Sequence, residues 1–253
     1  MTRHRMISRC FVAILGISLG FALCTVPAYA DADQKGQPTI IGKTYGQWSA
    51  KWWQWAVAGP NGENAVQDET GKFCAVNQPK DKVWFLTGTF GLMGVERTCT
   101  IPANRALLYP LINTVWTDCP GTTDEDLTDA EVRAILTTFG GGGDRACQLT
   151  STLDGASISS LQILTVRTQS PKFTSILPKN HVLQGCEPPL PPGKTGRQIS
   201  EGYWVLLPPL TPGAHVLTIH GATCDPKTGD VLPGEIGVTC HLTVLGGDVK
   251  DDD

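Results

Sequence analysis

From Ile236 to Leu245 apolar and polar side chains alternate. Ile236, Val238, Cys240, Leu242 and Val244 fall on one side, and Thr239, His241 and Thr243 on the other. A period of two marks a strand with one buried face. Shorter runs of similar texture, broken by Gly, Pro and Asn, predict strands over residues 72–76, 83–90, 95–101, 105–115, 158–167, 173–177 and 215–221. Tyr203–Leu207 is apolar throughout, as in a strand covered on both faces. The period changes over residues 44–58, where Tyr45, Trp48, Trp52, Trp55 and Ala56 share one helical stripe and Trp53 lies roughly 100° to the side. Thr44 and Gln47 stand at capping-box spacing, and Gly59-Pro60 ends the pattern. A second, shorter helix is expected over residues 128–139. Thr128 and Glu131 cap it, Gly140–Gly143 stops it, and the acidic run Asp124, Glu125, Asp126 and Asp129 surrounds its start. This stretch interrupts the β texture over residues 117–150.

Short strands separated by Gly and Pro turns, with helices only as additions, predict an all-β protein. The expected architecture is an antiparallel β-sandwich, jelly-roll or Ig-like, with an N-terminal Trp-rich helix and a short inserted helix. A single domain over residues 31–247 is expected, opening on a polar, Gly-rich stretch and followed by a disordered acidic tail at 248–253. The Pro-rich segment 187–193 reads as an extended loop.

The first thirty residues have a different grammar. Arg3, Arg5 and Arg9 precede the apolar run Phe11–Phe21, and Ala28-Tyr29-Ala30 offers the small–x–small cleavage pattern. This order predicts a signal peptide over residues 1–30, cleaved before Asp31, and a secreted or periplasmic product. An uncleaved anchor is disfavoured by the short apolar run, and a lipoprotein by Leu23 before Cys24. The whole chain carries a formal charge of −4; cleavage removes three of its 20 basic residues and none of its 24 acidic ones, leaving −7. That balance argues against nucleic acid or an anionic membrane as partner. No apolar run after residue 30 approaches the ~20 residues of a membrane-spanning helix.

Seven of the nine cysteines follow the leader, and none forms a C-x-x-C pair. In an oxidising compartment disulfides are their default use, and an odd number leaves one thiol over. Cys74 and Cys99 flank one strand of a meander and are expected to pair. Cys119–Cys147 is expected to close the base of the acidic, helical excursion. Cys186–Cys224 is expected because the start of 203–207 should lie beside the end of 215–221. In a hairpin of 215–221 with 236–245, Cys240 sits mid-strand on the core face, away from Cys224, and is expected to remain a free buried thiol.

Four groups of residues together resemble a family of secreted bacterial all-β proteins with no assigned activity. They are Trp48-Ser-Ala-Lys-Trp-Trp-Gln-Trp55; Cys74-x-x-x-Gln78 with Val83-Trp-Phe-Leu-Thr-Gly-Thr89; Arg97-Thr-Cys-Thr-Ile-Pro102 with Ala106–Asn113; and Asp154-Gly155 with Gly202-Tyr-Trp-Val-Leu-Leu-Pro-Pro-Leu-Thr-Pro-Gly-Ala-His215. The resemblance covers most of the chain beyond the leader. It implies an exported all-β protein and supplies no catalytic residues. At Cys240 this chain departs from the pattern, which has an aromatic residue there, so a shared disulfide at Cys240 is not implied.

Candidate chemistry is sparse. Exposed Trp faces can stack on sugar rings, whereas a buried Trp stripe docks a helix on a sheet. Trp48, Trp52 and Trp55 are expected to pack, and Trp53, off the stripe, is the ring expected nearest solvent. His215 and His220, five apart on one strand, face opposite sides. His220 and His241 are expected to meet across neighbouring strands, which is too few ligands for a metal site. Trp53, Trp52, His220 and His241 are therefore the ligand-binding candidates, with no metal or cofactor implied. No G-x-S-x-G elbow, H-E-x-x-H helix or P-loop is present. Asp68, Glu69, Asp154, Glu201 and Glu235 qualify for carboxylate catalysis by residue type alone. These features favour an exported, non-enzymatic binding or surface-structural protein, with a glycan or cell-surface polymer as the expected partner. The alternative is a secreted polysaccharide hydrolase or lyase.

Overall fold

A computed structural model describes residues 39–246. The leader at 1–30, residues 31–38 and the acidic tail lie outside the described residues. The capping box expected at Thr44 forms: its hydroxyl accepts from Gln47 N, and Gln47 Oε1 accepts from Thr44 N. It opens helix α1, Tyr45–Ala56. The chain then runs through strands β1 (Val83–Phe85), β2 (Val95–Ile101) and β3 (Ala106–Thr117). A second capping box, Thr128 with Glu131, opens helix α2, Asp129–Phe139. Strands β4 (Ala146–Leu153), β5 (Ala156–Ser157), β6 (Thr165–Gln169), β7 (Ile176–Leu177) and β8 (Gly193–Lys194) follow. The last three are β9 (Gln198–Leu207), β10 (Gly213–Thr223) and β11 (Ile236–Val244).

Described residues 39–246 are thus mostly β, arranged in a four-stranded sheet of order β1-β3-β9-β6, a five-stranded sheet of order β2-β11-β10-β4-β5, and the β7-β8 pair. The expectation of wholly antiparallel pairing is corrected, because β1 runs parallel to β3 and β2 parallel to β11. The chain crosses between the sheets after β1 and again after β2, so β1 and β3 meet as crossover neighbours and not as a hairpin. The hairpin expected at the C-terminal end is present, with Leu217 opposite Cys240 and Ile219 opposite Val238.

Leu107, Tyr109 and Leu111 of β3 share one apolar cluster with Leu217 and Ile219 of β10 and with Val238, Cys240 and Leu242 of β11. The Tyr109 hydroxyl meets Ser151 Oγ of β4 at 3.0 Å inside this layer. The opposite face of β3 and β9, including Leu108 and Trp204, packs under α1. Covering on both faces explains the unbroken apolar run Tyr203–Leu207.

Several expected strands shrink for local reasons. Residues 72–76 form turns, because the Asp68 carboxylate takes Thr70 N and Phe73 N and local i→i+3 bonds complete the bends. Beyond Phe85 the chain leaves its sheet, and the Thr87 and Gly88 carbonyls accept from the buried Arg97 guanidinium instead. Residues 158–164 open as turns, so only Thr165–Gln169 pairs. β4 was not expected; its sequence is largely polar, and hydroxyl contacts such as Thr152–Thr218, 2.7 Å, accompany its pairing with β10.

Three disulfides are present among the described residues: Cys74–Cys99, Cys119–Cys186 and Cys147–Cys224, with Cys240 reduced and buried. The expected bridges Cys119–Cys147 and Cys186–Cys224 are therefore corrected. Cys147 lies in β4 opposite Ala222, two residues before Cys224, so that bridge joins paired strands of the five-stranded sheet. Cys119 follows β3 in the other sheet. The expectation failed because 203–207 pairs with β3 and β6 and not with 215–221, which separates Cys186 from Cys224. The excursion between the sheets is tied down by Arg197, which donates to the Leu127 and Asp124 carbonyls and pairs with Asp118 and Asp129.

Candidate functional site

The four tryptophans of α1 are all buried. Trp52 is the hub, edge-on to Trp53, Trp55 and Trp204 with ring centroids 5.2, 5.9 and 5.5 Å away. Trp48 Nε1 donates to Ile40 O, Trp52 Nε1 to Leu86 O and Trp55 Nε1 to Val76 O, at 2.8–2.9 Å. Trp53 breaks the series. Expected near solvent, it is only 6% exposed, because the chain around Val66 and residues 87–89 closes over that side of the helix. Its Nε1 is buried without an acceptor.

Trp53 lines a cleft of about 210 Å³, together with Trp52, Val66, Ile112, Ile236 and Phe90. At roughly 30 Å³ per water, that is room for about seven waters, or one small ring. Its polar lining is uncharged: Thr87, Thr89, Asn113, Thr114 and Thr223. The Asn113 Nδ2 group is also closed to solvent without a partner. Two walls of the cleft are pinned by Arg97. Its guanidinium donates to Val66 O, Asp68 O, Thr87 O and Gly88 O, and among the described residues no carboxylate forms an ion pair with it. Burial lowers its pKa, but an arginine stays charged. Gly141 completes the lining; a Cβ there would sit 2.7 Å from Thr223 Oγ1, so a side chain would close this end.

Behind Arg97, Cys240 faces the same interior, and burial pushes its thiol up to about 11, against the opposing pull of the guanidinium. It is an inert core group and not a nucleophile.

Of the four candidate ligand residues, Trp52 and Trp53 meet in the cleft, while the histidines lie outside it. His220 pairs with Gly237, four residues from His241, so the two imidazoles are offset by about 13 Å along the sheet and do not meet. His220 instead bridges Gln148 O and Glu235, and His241 lies 3.5 Å from Glu96. Among the described residues no group of three His, Cys, Asp or Glu side chains is placed to hold a metal ion.

None of the five candidate carboxylates lines the cleft. Glu201 is buried against Arg167, Thr137 and Gln169, and Asp154 holds His215 at 2.7 Å. Burial works to raise the Asp68 pKa, but hydrogen bonds from Phe73 and Thr70 outweigh it and hold it low. Sequence reasoning missed Asn113, Phe90 and the threonines. Asn113 alone left a trace, as an amide interrupting the apolar run of β3; the others are brought in by the crossover after β1.

Compared with known protein families, curated proteins and solved structures, the chain matches none. Among the described residues no helix is long and apolar enough to cross a membrane. The disulfides suit an oxidising extracellular or periplasmic setting.

Proposed function

We propose that the protein is an exported β-sandwich that binds a small, uncharged, oxygen-bearing ligand in the Trp53–Asn113 cleft without transforming it. The observation carrying this reading is the cleft itself, about 210 Å³, walled by Trp52 and Trp53 and lined by the uncharged polar side chains of Thr87, Thr89, Asn113, Thr114 and Thr223. An uncharged lining with hydroxyls and indole walls suits a sugar ring, so the partner class is narrowed to one glycan unit held in a cleft. The buried Trp rings offer no open platform for a flat polymer. Export follows from the leader pattern and is supported by the disulfides.

Titration with methyl glycosides, read by tryptophan fluorescence and calorimetry, tests this. Saturable binding is expected, with Trp53→Phe and Asn113→Leu each weakening it about tenfold, the equivalent of one hydrogen bond. Absence of binding across the panel, or full affinity in both variants, would overturn it.

A further inference from the structure

We infer that the ligand is an amphiphile: an uncharged head of sugar size in the cleft, carrying an alkyl tail that lies over Phe90, Leu92 and Met93. This rests on the binding reading above and adds the class of ligand. Phe90 belongs to two surfaces at once, lining the cleft while 49% exposed. Leu92 and Met93 follow it, 45% and 52% exposed, so three large apolar side chains crowd into four residues at the cleft mouth.

The turn that presents them is anchored. Thr89 Oγ1 accepts from Leu92 N and donates to Leu92 O, both at 2.8 Å, and Leu92 O also accepts from Gly237 N. Gly91, at φ 76°, lies against Gly234, which lines the cleft from the other side. The Met93 thioether covers Gly237, next to Ile236 of the cleft wall. A sugar alone would fill the cleft and leave this strip in water. A tail leaving the mouth past Phe90 would cover it, and burial of apolar area is the gain.

The experiment measures affinity for methyl, hexyl, heptyl and octyl β-glucosides, each below its micelle concentration, on the wild type, Leu92→Ser and Leu92→Ser/Met93→Ser. Affinity is expected to rise about two- to fourfold per added methylene in the wild type. That slope should flatten in the variants, while methyl glucoside affinity stays unchanged. The single variant serves if the double one does not fold. Equal binding of methyl and octyl glucosides, or a slope that survives Leu92→Ser, overturns the amphiphile and leaves the cleft reading standing. Failure of every glucoside, methyl included, overturns the amphiphile; the cleft reading falls with it only when the whole methyl glycoside panel is also unbound.

Discussion

The interior between the two sheets and the interior beneath α1 are stabilised by different means. Between the sheets the side chains are mostly aliphatic, set in register by alternating strands, and Tyr109 meets Ser151 as one of few polar contacts. Beneath α1 the filling is indole, and three of its four helical tryptophans are fixed by an N–H bond to a carbonyl outside the helix. The first interior is non-directional and tolerates small shifts. The second is directional, tying α1 to segments 40, 76 and 86, which belong to no common sheet. An aliphatic core specifies which face is buried; an indole core with bonded N–H groups also specifies what loop lies against it.

The sharpest way to break this contrast is truncation in each interior. Trp52→Ala should cost about 3–5 kcal/mol, with Leu217→Ala at about 2–5 kcal/mol as the aliphatic counterpart. Because Trp52 also anchors Leu86, amide exchange over 86–90 should rise in Trp52→Ala and stay unchanged in Leu217→Ala. Equal exchange in both variants would remove the distinction. A gentler pair keeps an aromatic ring and removes the indole N–H together with part of the ring, the same truncation at both positions. Both lose the same ring volume, but Trp48→Phe also removes one of the two donors to Ile40 O, Lys43 N keeping the other, and should cost about 0.5–1.5 kcal/mol more than Trp53→Phe, which removes an unpartnered donor. Chemical denaturation measures the difference, and equal losses would mean that Trp53 Nε1 is satisfied in solution.

The smallest expected effect lies at the exposed start of β10, in the five-stranded sheet. His215 donates to Asp154, and that contact, with Thr211 O, raises the imidazole pKa, while the same pair lowers that of Asp154. The His215 contribution to stability is complete below its unfolded pKa of about 6.5 and is lost as pH rises through the higher folded value. The Asp154 contribution is present above about 3.9 and is lost as pH falls through the lower folded value. The stability difference between wild type and His215→Gln should therefore be widest between about pH 4 and 6.5 and shrink above it. A difference that stays flat from pH 5 to 9 would show that no charge is shared.

What the sequence made legible follows the same division. Alternation in 236–245 and the two capping boxes are local patterns, and they gave β11, α1 and α2 with boundaries close to those observed. Ladders built on polar residues, such as β4, carry no apolar period to read. Parallel pairing was also hidden, since β2 meets β11 from the far end of the chain. The cleft was half legible: its tryptophans stand out, but Asn113, Phe90 and the Arg97 brace meet only after the crossover. Of the disulfide expectations, Cys74–Cys99 and the free Cys240 hold; Cys186–Cys224 failed because 203–207 pairs in the other sheet, and Cys119–Cys147 because the polar strand β4 carries Cys147 to β10.

Bridges 119–186 and 147–224 interleave along the chain, where the expected pairs would have stood side by side. A protease that severs any one peptide bond between Cys119 and Cys224, in the acidic excursion, the 158–164 turns or the Pro-rich segment, releases no piece. At least one bridge always spans the nick. With side-by-side pairs, a cut between residues 147 and 186 would have parted the molecule. In a compartment where extracellular proteases act on exposed loops, this wiring lets the protein be clipped and still hold together as one covalent body.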